Sequence, residues 1–372
     1  MYLPNFTYTT RTIKNMAEID LIRGTILNAK ITPELDLQMK ENALLRSAIA
    51  STSFDNVLKV EVKTNFKKNE EDEKLCSSLN EPFKLKSPGS KTGNSQNFHG
   101  YLQVLEDLDS YHENGKITEK LLYKMHEKIT ENTLDDVHHE TKYREVDVEL
   151  KDHGKDVYRY IPPRHEHVPI LMEELLKWAN NNSTEISPIT VAGSVQWEML
   201  RIQPFIHGNG QTARALTNLI LHLRLFDPRR YFSLEEYYKT DEKAYLNALN
   251  LDLDEEKSLT RWMEYFTDGI LMSLSKTRDE ISDLLKTGKC FDRSTFKDYM
   301  KIISFLHVYG KITPEDVAAL LEVNKNRADD YLHELEELSV VERKKRHGST
   351  YYILKIRADQ LKKQWKILFK RN

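Results

Sequence analysis

Apolar residues recur at three- and four-residue spacing along most of this 372-residue chain, and at two-residue spacing almost nowhere. The first spacing is that of an α-helix with one buried stripe, whereas a half-buried strand repeats every second residue. A mainly α protein is therefore expected. The stretch LQMKENALLRSAIAS can place Leu37, Leu44, Leu45 and Ala48 on one face. The helical spacing continues from Phe98 to about Lys289: Ile170, Leu171, Leu175 and Trp178 follow Pro169, and Leu216, Leu219, Ile220 and Leu223 follow a glycine-rich turn. Trp178, Trp197 and Trp262 occupy apolar helical positions and are expected in the core, as is packing rather than ligand contact for Tyr237 and Tyr238.

Two segments depart from this pattern. In KYREVDVELKDHGKDVYRYIPP, Val146, Val148 and Leu150 alternate with acidic residues, DHGK marks a turn, and apolar character resumes at Val157 until Pro162 and Pro163 end it. That is a hairpin signal. Residues 61–97 become polar, charged and interrupted by Pro and Gly, and read as a loop excursion carrying little of the core.

The last 80 residues read as a separate unit. Thr313 suits a helix N-cap, with Pro314 at the first helical position and Asp316 at the third, a variant of the capping box. A second helix, KNRADDYLHELEEL, precedes two strands around His347 and Gly348. Helix, turn, helix, hairpin is the order of a winged helix-turn-helix. The expected divisions are 1–97, 98–290 and 291–372.

Charge is uneven. The chain carries −3 overall, yet residues 342–372 hold eleven Lys or Arg against two acids. Lys344, Lys345 and Arg346 on the hairpin suit phosphate contacts, and Lys325 and Arg327 at the start of the second helix could reach bases, so DNA is one expected partner. Asp329, Asp330, Glu334, Glu336 and Glu337 on the same helix oppose a duplex, which leaves a solvated or protein-docking face as the other reading. Cys76 and Cys290 are too few for a disulfide framework or a zinc cluster. VHHE at 137–140 and RHEH at 164–167 lack a third ligand at a recognisable spacing, so no metal site is expected. No run of about 18 uncharged apolar residues occurs, and a cytoplasmic protein without a membrane partner is the expectation.

The glycine-rich turn is QPFIHGNGQTAR, residues 203–214. Gly208, Asn209 and Gly210 can let backbone amides converge at the start of the next helix, where unpaired N–H groups and the helix dipole favour an anion, with Arg214 one turn further on. No Lys-Ser/Thr follows the glycines and no strand precedes them, so neither a P-loop nor a dinucleotide fingerprint is matched.

This stretch resembles the active-site motif of the Fic family, His-Pro-Phe-x-(Asp/Glu)-Gly-Asn-Gly-Arg-x-x-Arg. Pro204, Phe205, Gly208, Asn209, Gly210 and Arg214 match it; Gln203, His207 and Gln211 stand where the family has His, an acid and Arg. Residues 50–57, ASTSFDNV, are similar to the family's inhibitory helix, with Ser51, Asp55 and Asn56 in place and Asp for Glu. The hairpin resembles the family's flap, and longer members carry a C-terminal winged helix.

The resemblance implies a Fic-type helical core and a protein adenylyltransferase, which moves AMP from ATP to a hydroxyl on a target protein. It assigns nucleotide binding to Phe205, Gly208, Asn209, Gly210, Gln211 and Arg214, and implies that Asp55 pairs with Arg214 to block a triphosphate. The departures work against transfer. A Gln203 amide cannot act as a base near neutral pH, His207 is a poor Mg²⁺ ligand, and Gln211 brings no charge. The expected ligand is ATP or another nucleotide, held without a good Mg²⁺ site and with transfer impaired or lost. Two alternatives stay open, a DNA-binding regulator acting through the C-terminal unit and an active transferase with an altered donor that uses His207 as a displaced base. A target protein is an expected partner, and a homodimer is left open.

Overall fold

The computed structural model describes residues 2–54, 58–62, 93–131, 142–152, 159–181, 185–249, 255–287, 298–337 apart from 300, 304, 307 and 308, 341–346 and 349–354. Helix dominates them, as the spacing predicts. Helix α1 (Thr10–Asn28) lies along the long α10 (Glu255–Thr287). Arg11 pairs with Asp268 at 2.5 Å, and Asn15 donates to the same carboxylate at 2.7 Å. Helix α2 (Pro33–Phe54) packs on α3 (Gly93–Glu106) and α8 (Glu235–Thr240), and Arg46 pins it to Glu236 and Glu280.

At the centre, α6 (Pro188–Ile202) and α7 (Asn209–Leu223) pack along one another. Their buried residues interleave with α4 (Glu119–Thr130), α5 (Val168–Asn181), α9 (Glu242–Leu249) and α10 in one apolar core. Trp178, Trp197, Trp262 and Tyr238 sit inside it, and each indole that needs a partner has one: Trp197 donates to Leu249 O at 3.3 Å and Trp262 to Gly193 O at 2.9 Å. Gly193 is obligatory there, because a Cβ would come within 2.9 Å of Met263 and Phe266.

Three expectations need correction. Leu37 and Ile170 are exposed; Leu35, Met39, Leu44 and Ala48 make the buried stripe of α2, and Met172, Leu175, Leu176 and Trp178 that of α5. A helical spacing rich in apolar residues fits neighbouring phases, and packing selects one. Residues 61–97 are not all loop, since 61 and 62 belong to a strand and 93–97 open α3.

That strand, β1 (Leu58–Val62), pairs antiparallel with β2 (Val148–Asp152), from Leu58 opposite Asp152 to Val62 opposite Val148. On its other edge β2 pairs antiparallel with β3 (Arg159–Tyr160), as the two arms of the expected hairpin, in a three-stranded order β1-β2-β3; the rest of its expected turn after Asp152, and Val157, lie outside the described residues.

Ile302, Ile303, Leu306, Ile312, Val317, Leu332, Val341 and Tyr352 form a second apolar cluster. Helix α11 (Pro314–Leu321) has the expected cap: Thr313 accepts from Asp316 N, and the Asp316 carboxylate accepts from Thr313 N. Helix α12 (Lys325–Glu337) follows, then β4 (Val341–Arg346) antiparallel to β5 (Ser349–Leu354). Leu45 of α2 packs against both clusters.

Candidate functional site

The glycine-rich turn joins the two central helices. Gln203 ends α6 in a left-handed conformation, φ 49°, with its N–H on Met199 O at 2.9 Å. Its side chain turns back as well, donating to Leu200 O at 2.7 Å. The amide that stands at the family's histidine position thus caps its own helix.

Asn209 locks the loop through two bonds with one residue: its Oδ1 accepts from Phe205 N at 2.9 Å and its Nδ2 donates to Phe205 O at 2.7 Å. Gly208 precedes α7 at φ 72°, and a Cβ there would come within 2.7 Å of Thr130 and 3.3 Å of His126. Both the backbone conformation and the close approach of α4 therefore require glycine. Gly210 lies within the first turn of α7.

Two residues overlooked in the sequence hold this loop from outside. The Phe205 ring stacks on His126 of α4 at 3.8 Å, and His126 Nε2–H donates to His207 O at 2.9 Å. Burial lowers the His126 pKa to about 4, so the ring is neutral, and its Nδ1 has no partner. Arg144, just before β2, donates to Gln203 O at 2.9 Å and Val146 O at 2.8 Å, and also to Pro163 O, while its own N–H reaches Pro204 O at 2.8 Å. One guanidinium thereby ties the flap, the Pro162–Pro163 segment and the motif loop together. A polar residue on an apolar helical stripe was the available signal for His126, between Leu122, Met125 and Ile129; Arg144 had none.

His207 is exposed at the rim of the loop, though enough protein crowds the ring to lower its pKa. Gln211 is fully buried, and neither its amide nitrogen nor its oxygen has a partner. Arg214, three residues on and so on the same face of α7, is buried too. Its Nε donates to Ser51 Oγ at 2.9 Å and its Nη2 to Ser51 O at 3.2 Å. The C-terminal turn of α2, whose free carbonyls favour a cation, covers the guanidinium. Asp55 and Asn56 lie outside the described residues. Beside this contact, Glu235 accepts from Tyr101 OH at 2.7 Å and from Asn218 Nδ2 at 2.8 Å.

The motif loop offers no carboxylate or other hard oxygen side chain in the position of the family's acid, so its donor set does not fit Mg²⁺.

The C-terminal candidates are spread apart and largely engaged. Lys325 pairs with Glu315 at 2.5 Å, Arg327 lies over the Tyr331 ring at 4.5 Å with Asp330 at 4.0 Å, and Lys344 pairs with Glu342 at 2.5 Å. Lys345 is exposed, and the side chain of Arg346 lies outside the described residues.

Residues 116–221 match the Fic/DOC family model. The chain therefore carries a Fic/DOC family domain over these residues. The matched residues run from the turn before α4 through the flap to the motif helix α7. Among curated proteins, the chain is 29% identical over 184 residues to the protein adenylyltransferase fic-1 of Caenorhabditis elegans, covering 45% of this chain and 36% of that protein. It is 33% identical over 63 residues to the protein adenylyltransferase Fic of Drosophila melanogaster, covering 17% of this chain and 13% of that one. The chain thus aligns with about a third of the nematode relative, and less of the fly one. A Fic family protein from Desulfovibrio desulfuricans G20 superposes over 96% of this chain and 99% of its own with TM-score 0.55 at 20% identity. A Fic domain containing signaling protein from Bacteroides thetaiotaomicron does so over 73% and 97% with TM-score 0.50 at 16% identity. These two likenesses are of fold. Among the described residues, no helix is long and apolar enough to cross a membrane, and no cluster of His, Cys, Asp and Glu could hold a metal ion.

Proposed function

We propose that this Fic-domain protein binds a nucleotide by its phosphate at the N-terminus of α7 and has lost, or nearly lost, the transfer of AMP to target proteins. The observation that carries the reading is the division of labour within one loop. Gly208, the first turn of α7 and Arg214 keep an anion-binding arrangement, while Gln203 spends its amide on Leu200 O. Losing a general base typically costs roughly 10²–10⁴-fold in rate, and the loop's donor set offers Mg²⁺ no carboxylate. The named activity of the nematode and fly relatives supports a protein adenylyltransferase ancestry, and a target protein is the partner that ancestry suggests.

Ser51 is the lid on this site: its hydroxyl and carbonyl occupy the Arg214 donors that a phosphate would use. Calorimetric titration of the full chain with ATP, ADP and AMP tests the proposal. Heat of binding that grows in a Ser51→Ala variant is expected. No heat from either protein at millimolar nucleotide overturns it.

A further inference from the structure

The N-terminal end of α7 has little uncommitted positive charge among the described residues, and that bears on what it can accept. Arg214 is the one Arg or Lys in residues 203–214, and no acid lies among them to bring in a divalent cation. Glu235 puts a buried acid next to Arg214, joined to its backbone through Asn218, whose Nδ2 donates to Glu235 at 2.8 Å and to the Arg214 carbonyl O at 3.1 Å. His126, its pKa lowered by burial to about 4, adds no charge at neutral pH, and the protein crowding the exposed His207 ring lowers its pKa as well. The other guanidinium at the loop, Arg144, has its donors on the Gln203, Val146 and Pro163 carbonyls with Asp147 at 3.8 Å, so what remains for a ligand is the helix dipole, equivalent to roughly half an elementary charge.

Gln211 supplies the second observation. Its side chain is fully buried on the same face as Arg214, and both ends of its amide lack a partner. Buried polar groups are paired in the great majority of cases, so an amide open at both ends marks a place for a ligand group that offers an acceptor and a donor. A singly protonated phosphate monoester has both: P–O⁻ accepts from the amide N–H, and P–OH donates to the amide oxygen.

We infer that the site selects a nucleoside monophosphate over a triphosphate and holds it without a divalent cation, with Gln211 as the residue that sets this preference. The selectivity presupposes nucleotide binding at α7. A monophosphate matches one guanidinium, one helix terminus and one neutral amide. A triphosphate brings additional charge that nothing described here neutralises, and an uncompensated charge in a desolvated setting is strongly disfavoured.

The experiment is calorimetry on the full chain, wild type and Ser51→Ala, with AMP and ATP, each with and without Mg²⁺, followed by Gln211→Arg and Gln211→Met. AMP is expected to bind about tenfold or more tighter than ATP, with no effect of Mg²⁺, and Gln211→Arg to move the ratio toward ATP by about tenfold, as a charge-assisted bond would. Gln211→Met, apolar and of similar length, suits a buried position and is expected to weaken AMP. ATP with Mg²⁺ binding as tightly as AMP, or a ratio unmoved by both Gln211 variants, overturns the selectivity and leaves nucleotide binding standing. Failure of every nucleotide to bind either protein brings down nucleotide binding, and the selectivity with it.

Discussion

His126 shows how one side chain can set the shape of a loop it does not belong to. Its ring stacks on Phe205, its Nε2–H holds His207 O, and Gly208 passes so near that a Cβ would lie 3.3 Å from its Nε2. Burial keeps it neutral down to about pH 4 in the folded chain, whereas the unfolded chain takes the proton near the ordinary value of about 6.5. The depressed value means that the unfolded state binds more protons between these limits. Stability is full above about pH 6.5 and falls as pH drops through that value, levelling near the folded pKa. Urea unfolding at pH 7 and pH 5 is expected to show a loss of about 2 kcal/mol in the wild type from this residue. His126→Phe keeps the stack but cannot titrate, so its loss over the same interval should be smaller by that amount; equal losses would remove His126 as the cause. Much of this neighbourhood was legible in the sequence. The glycines, Asn209 and Arg214 could be read from a short motif because each answers a local demand of backbone or charge. Arg144 could not, because its partners Gln203 O and Pro163 O come from distant segments that only the fold assembles.

At the level of elements, helix spacing carried most of the architecture, and local rules such as the Thr313–Asp316 cap were readable to the residue. Strand β1 was hidden because LKVEV adjoins a polar, charged stretch and finds its partner β2 some ninety residues later; pairing across that separation leaves no local trace. Its position has a mechanical consequence. Only three residues separate the end of α2 at Phe54 from the start of β1 at Leu58, so the helix that covers Arg214 and the strand on the flap are on one short tether. Moving the end of α2 off Arg214 should loosen β1 from β2. Ser51→Arg, which puts a like charge and a larger side chain against Arg214, is expected to speed hydrogen exchange of residues 148–152 while leaving the middle of α10 unchanged. Unchanged exchange in β2 would mean that lid and flap move independently.

Across the whole molecule, the fold is that of the Fic structures it superposes on, and under the proposed function the three departures from the family motif are chemically matched. On that proposal Gln203 leaves out a base, His207 a hard ligand for a cation, and Gln211 a charge that would hold the outer phosphates. If each loss made the others tolerable, restoring one alone achieves little: a base without a metal-held nucleotide has nothing to act on, and a guanidinium at 211 without the base only binds. Restoring all three in a chain whose lid is weakened should recover transfer. The variant Gln203→His/His207→Asp/Gln211→Arg, combined with Ser51→Ala, is expected to move label from ATP carrying it on the α-phosphate onto itself or onto lysate proteins in the presence of Mg²⁺, where the wild type does not. Transfer by the wild type that disappears in His207→Ala would reverse the reading and make His207 a working base in a displaced position. A restored variant that binds ATP yet transfers nothing would place the lost chemistry outside the motif, and Arg144 and His126, which set the loop's shape from outside it, would be the next residues to examine.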